Sequence, residues 1–201
     1  MTGELLGHAS GRLLYEITNK NSPAFLRGHP GHSMRILDDG CYRIAERRGW
    51  KFGEVHEKCK AVFDAWEGFC ESPIEREFLA ALICQDWRRF DIEFPGFYRQ
   101  GEMASSQISP VTVIPQATFG RYRVDFSLSV QRKNFRHIVA VECDGAEYHD
   151  READSQRDHV LELYGVRVAR LTGKEIRSSA LDLASDLVSV LYRLSIGALD
   201  Q

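Results

Sequence analysis

The chain has 201 residues, 43% of them hydrophobic, and a formal net charge of -3. That length fits one domain with additions, and the apolar fraction is that of a globular protein with a real core. With 29 acidic against 26 basic residues there is no global basic field to coat nucleic acid non-specifically, so any such contact needs a local surface. The five cysteines, Cys41, Cys59, Cys70, Cys84 and Cys143, are odd in number and include no Cys-x-x-Cys pair. Spacing supports neither a disulfide framework nor a structural zinc site, and buried free thiols in a reducing compartment are expected. No N-terminal apolar run resembles a signal peptide, and none is long enough to span a membrane. The expectation is a cytoplasmic protein with no membrane partner.

In residues 1–40, Gly, His, Pro, Ser and Asn break up short apolar runs, and His29-Pro30-Gly31-His32 reads as a turn. Its histidines have no further ligand at a convincing spacing and read as loop histidines. From about Asp39 to Phe69 the pattern turns helical, with Val55, Cys59, Val62, Phe63 and Trp66 on a packing stripe. Ser72-Pro73-Ile74-Glu75 opens a second helix: Ser caps, Pro suits the first helical position, and Glu completes a capping box. Phe78, Leu79, Leu82 and Ile83 form its apolar face. Residues 91–110 have no period and read as a loop. Val111 to Phe119 reads as a strand whose Pro115 marks an edge or a bulge. Two strands joined by a basic turn fill Arg121 to Asp150. Asp150 to Tyr164 is helical, with Ala153, Val160, Leu161 and Tyr164 inward and Gly165 as its C-cap. Val166 to Leu171 is a strand, and Thr172 to Glu175 is another capping box. The last helix carries the stripe Ile176, Leu183, Leu187, Val190, Leu191 and Leu194. A strand–helix–strand crossover implies a parallel pair beside an antiparallel meander, hence an α/β (α+β) fold. There is no internal repeat.

The two strands between Arg121 and Asp150 carry the chemistry. In the first, Tyr122, Val124, Phe126, Leu128 and Val130 alternate with Arg121, Arg123, Asp125, Ser127 and Ser129, so the apolar set faces a core and Asp125 the polar side. In the second, Glu142 and Asp144 share a face with Ile138 and Ala140. If the strands pair, Asp125 approaches both. Three carboxylates repel one another unless a cation lies between them, and oxygen-only donors suit Mg²⁺ or Mn²⁺. The many arginines of the segment offer the plainer alternative, surface ion pairs.

An acidic residue on the second strand and a Glu-x-charged end to the third resemble the PD-(D/E)XK nuclease superfamily. The runs VDF, VECDGAEYHD and ADSQRDHVLELYGVRVARLTGKEI narrow this to the uncharacterised-domain nucleases related to the very short patch repair endonuclease. The matching positions are Glu142, Asp144, Gly145, His149, Asp154, Arg157, Gly165 and Val166-Arg167-Val168, within a resemblance from about Ser72 to Leu194. It implies a restriction-endonuclease-like core, a mixed four-stranded sheet flanked by helices, over residues 71–201. Residues 1–70 would be a mainly helical accessory region, open to forming a homodimer or a larger complex. It also implies a metal-dependent endonuclease acting on DNA in repair, restriction or defence. Asp125 and Glu142 would hold Mg²⁺ or Mn²⁺ with the carbonyl of Cys143. The chain departs from the superfamily at Asp144, where a Lys is usual. A carboxylate there can bind a second metal, act as base or hold His149, and His149 is the candidate general acid/base. Glu75 fits both a family metal-site position and its helix cap; Glu77 fits less well. Gln116 matches a family position that approaches the site. Arg157 either reaches phosphate or ties down Asp154 or Asp158. Arg121 and Arg123, with Arg132, Lys133 and Arg136, would form a basic rim for a nucleic-acid backbone. The missing Lys leaves a second reading open: a catalytically weakened nuclease-fold module that binds nucleic acid or a partner protein.

Overall fold

The computed structural model describes residues 30–85, 92–93, 111–132, 135–144 and 151–196. In chain order these form α1 (Pro30–Arg48), α2 (Phe52–Trp66), α3 (Pro73–Ile83), β1 (Ile92–Glu93), β2 (Val111–Phe119), β3 (Tyr122–Arg132), β4 (Phe135–Asp144), α4 (Arg151–Leu163), β5 (Val166–Thr172) and α5 (Gly173–Ile196). The sheet order is β1-β2-β3-β4-β5. β2, β3 and β4 form an antiparallel meander, and β5 joins β4 in parallel through α4. The four long strands are those expected. The two-residue β1 adds a fifth, parallel to β2, inside the segment read as a loop. Two residues carry no period, so sequence pattern cannot announce them. No helix among the described residues is long and apolar enough to cross a membrane.

The caps follow the sequence. Ser72 Oγ accepts from Glu75 N at 3.2 Å at the start of α3. Thr172 and Glu175 make a full reciprocal box at α5: Glu175 N donates to Thr172 Oγ1 at 3.3 Å, and Thr172 N donates to Glu175 Oε2 at 2.8 Å. The carboxyl of Glu175 is held below its ordinary pKa by these bonds from Thr172. Gly165 closes α4 at φ +73, the left-handed conformation its C-cap role requires.

Several expectations are corrected. Of the run read as a turn, Pro30, Gly31 and His32 open α1, and Pro30 suits a first helical turn; His29 lies outside the described residues. His32 lies in that turn with Nδ1 3.0 Å from Glu77 Oε1, so it partners a buried carboxylate. The helical stretch of residues 39–69 is two helices, parted at Gly49, whose φ of +66 α-helix does not allow. Tyr164 is exposed, as is Val190 on α5. The side of α5 that is buried runs Ile176, Ala180, Ala184, Val188 and Leu191. Its alanines let the helix lie close to α3 and the sheet, a role that a search for large apolar residues passes over.

The apolar residues of β3 do not share one face. Val139 and Val141 of β4 belong to a large core with α3 and α5, while the intervening Ala140 packs with Leu161 of α4 and Val166 on the opposite side. Phe126, Leu128 and Val130 join the large core, yet Val124, of the same parity, joins the small one. β2 does the same: Val111 and Val113 face one way, Ala117 and Phe119 the other. Both strands switch at Gln116, a non-glycine residue with φ +51. The ladder passes from Pro115–Phe126 to Ala117–Val124 and leaves out the step between, where Gln116 faces Asp125. A left-handed residue inside a strand resets the alternation as a bulge does, and the reset falls at Asp125.

α1 and α2 lie on the same large core as α3, α5 and the sheet, through Leu37, Cys41 and Phe63. α1 crosses so near the end of α3 that a Cβ on Gly40 would sit 2.3 Å from Cys84 Cβ. That atom is fixed to the backbone and cannot swing away. Gly40→Ala is therefore expected to destabilise the protein by about 1–3 kcal/mol despite alanine's better helix propensity. A fall in the urea midpoint at constant m-value would report it, and an unchanged or higher midpoint would contradict the close approach.

Candidate active site

The regular pairing of β3 with β4 ends at Phe126–Val141. One step further, the Oδ2 of Asp125 accepts from Cys143 N at 2.7 Å, so the side chain takes over where the ladder stops. Glu142, 6% exposed, comes from β4 just past that last pair. Asp144 follows at the same parity. β5 sets Arg170 beside Glu142 in the parallel register, and Arg170 Nη1 lies 3.8 Å from Asp144 Oδ2. Opposite, α3 contributes Glu75, also buried, whose Oε2 accepts from Gln116 Nε2 at 2.8 Å and from Glu71 N at 2.9 Å. Glu75 takes its place at the helix cap and also turns toward the cluster. Its backbone is capped by Ser72, while its carboxylate is clamped to the residue facing Asp125.

Burial dominates the electrostatics. It pushes the Glu142 carboxyl up to about 7, against the nearby Arg157 and Arg170 and with help from Asp125 and Asp144. Burial also raises Asp125 to about 6, offset in part by the hydrogen bond from Cys143 and by Arg157, and reinforced by Glu75 and Asp144. Two carboxyl groups on adjacent strands are thus short of water, and the nearby guanidinium groups offset that only in part. Such a pair gains from a divalent cation.

The arginines are arranged differently from the expectation. Arg157 of α4 does not turn to Asp158: its Nη2 donates to Glu142 Oε1 and to the Arg123 carbonyl. Asp158 instead accepts from Arg170 Nη2 at 2.7 Å. Arg170 therefore links Asp144 and Asp158, a role that no local motif announces. Arg123 reaches outward to Glu71 Oε2 at 2.6 Å, and Arg121 lies over the Tyr122 ring, 5.0 Å from its centroid. Both stand at the acidic end of the hairpin. Arg136 and the backbone of Arg132 lie near the other end, about 20 Å along the strands at roughly 3.3 Å per residue, so they do not rim this cluster. Glu77 faces His32 and Arg177, at 3.0 and 4.0 Å, and takes no part in it. Lys133, Gly145, His149 and the side chains of Arg132, Ala153 and Asp154 lie outside the described residues.

A mixed sheet with helices on both faces, and an acidic cluster where its central hairpin opens, define a restriction-endonuclease-like α/β domain. Residues 105–191 match the family model REase_MTES_1575, a restriction-endonuclease-like family, and this match suggests a nuclease. No curated protein and no solved structure matches the chain significantly.

Proposed function

We propose that the domain is a metal-dependent endonuclease that hydrolyses phosphodiester bonds in DNA. The observation that carries this reading is the desolvated pair Asp125 and Glu142, from adjacent strands, with pKa values raised to about 6 and about 7. The donors are oxygens only and fit a hard cation such as Mg²⁺ or Mn²⁺. Asp125 and Glu142 would hold it with the carbonyl of Cys143. Bound there, a divalent cation polarises a phosphate oxygen and makes a water acidic enough to attack. Glu75 and Gln116 fix the wall opposite Asp125. Arg157 holds the Glu142 carboxylate and is the nearest described cation to it for a phosphate. Asp144 stands where the superfamily has Lys, and Arg170 brings positive charge to that position from β5. His149, five residues beyond Asp144, is the proposed proton carrier. Arg121 and Arg123 are the proposed backbone contacts.

Supercoiled plasmid and linear single-stranded DNA, each with Mg²⁺, Mn²⁺ or EDTA, test the proposal. Cleavage with either metal and none in EDTA is expected. Cleavage that persists in EDTA would remove the metal from the mechanism. The engagement of Glu142 by Arg157 and the replacement of Lys by Asp144 favour the second reading, a catalytically weakened binding module. Calorimetry separates the two: a module without the metal site takes up no Mg²⁺ or Mn²⁺ while still retaining DNA. Gln116→Gly is a finer probe of the wall. It relieves the left-handed backbone, worth on the order of 1 kcal/mol, but releases Glu75. Near-native stability with slower cleavage is expected, and unchanged cleavage would mean that the Glu75 clamp is merely structural.

A further inference from the structure

A second cluster lies apart from the acidic one. Cys41 of α1, Cys59 of α2 and Cys84, next after α3, hold their Sγ atoms within 4.8 Å of one another. All are buried, at most 2% exposed. The thiols interact: Cys41 and then Cys84 lower the Cys59 thiol below its usual range, while the same contacts and burial raise Cys84. Gly40 supplies the room, since any side chain there would strike Cys84. Cys84 also lines a cleft of about 310 Å³ bordered by Arg43, Arg47 and Asp182, which gives the trio an approach from the surface.

We propose that Cys41, Cys59 and Cys84 form a three-sulfur site for a soft, thiophilic d¹⁰ metal ion, Zn²⁺ or Cu⁺. Sulfur-only donors select such ions over the hard cations suited to the acidic cluster. Sulfurs around one ion at about 2.3 Å stand roughly 4 Å apart, so side-chain adjustment closes the distance. Burial of all three sulfurs gives the ion a structural role, and Zn²⁺ would complete four ligands with a water from the cleft beside Cys84. The ion enters the folded protein from the cleft beside Cys84, and because the unfolded chain holds no such site its binding stabilises the fold. A disulfide is the competing chemistry, but it needs an oxidant and joins only two of the three sulfurs. The ion would pin α1 and α2 to α3, the helix that carries Glu75. The site does not depend on the nuclease reading.

The full-length protein, reduced and stripped of metal by a strong chelator, is titrated with Cd²⁺ as an optical probe. An ultraviolet thiolate-to-cadmium charge-transfer band should saturate at one ion per chain. It should persist with excess Mg²⁺ and in Asp125→Asn and Cys70→Ser, and vanish in Cys59→Ser. Zn²⁺ and Cu⁺, each added in competition, identify the natural occupant by which one removes the band at lower concentration. The wild-type titration decides the matter even if Cys59→Ser fails to fold: no band in folded, reduced wild type overturns the proposal. A band that survives replacement of all three cysteines by alanine overturns it equally.

Discussion

Asp125→Asn and Glu142→Gln are each expected to cut metal-dependent DNA cleavage by at least about 10²–10³-fold, the scale of removing one group that stabilises transition-state charge. Each change keeps shape and hydrogen bonding while deleting the charge that holds the cation. In Asp125→Asn the new amide retains an oxygen to accept from Cys143 N, the bond that closes the end of the hairpin. In Glu142→Gln the amide oxygen remains an acceptor for Arg157. Circular dichroism should therefore stay close to wild type and melting should be no lower, so that lost activity is not lost fold. Glu75→Gln should cost less, since Glu75 binds Gln116 and the Glu71 amide and acts through the wall. Calorimetry adds the needed control: Mg²⁺ uptake should fall with the rate in the first two variants. Wild-type cleavage by either one would remove that carboxylate from the site.

The parts of this molecule that were legible are those where neighbours in sequence are neighbours in space. β2 occupies Val111–Phe119, as its residues indicate, and the caps at Ser72 and Thr172 form where a local motif places them. The approach of Glu142 and Asp144 to Asp125 follows from strand parity and one antiparallel pairing. What was not legible depends on contacts across the fold. The alternation of β3 reverses because Gln116, on another strand, takes a left-handed conformation. Periodicity in β3 holds no trace of that. Arg157 has acidic neighbours on its own helix but turns to Glu142 of β4, leaving Asp158 to Arg170. The thiols of Cys41, Cys59 and Cys84 converge from three helices, so no short spacing motif can reveal them. Glu77 is a polar residue on a helix buried on nearly all sides, and its partner His32 lies in a run that local rules read as a turn.

Metal and pH should act on stability in opposite directions through the same two carboxyl groups. In the folded, metal-free protein Asp125 titrates at about 6 and Glu142 at about 7, both above the usual value of about 4. The folded state therefore holds these protons more tightly than the unfolded chain. Their contribution to stability is fully present below about pH 4 and is lost as pH rises through 6 and 7. Shifts of this size are worth at most on the order of 3 kcal/mol per group, reduced where water screens the pair. Together they are worth less than twice that, because each ionisation raises the cost of the other. The groups facing the pair are Glu75, Asp144, Arg157 and Arg170; the carboxylates add to the repulsion and the guanidinium groups subtract. In EDTA the melting temperature should fall between pH 5.5 and pH 8. Saturating Mg²⁺ binds the ionised pair, so the stabilisation it gives should grow over the same interval. The Asp125→Asn, Glu142→Gln double variant should lose both trends. A flat profile in EDTA for the wild type would mean that water reaches the pair more freely than its burial implies. An Mg²⁺ effect that shrinks as pH rises would mean that the cation binds elsewhere.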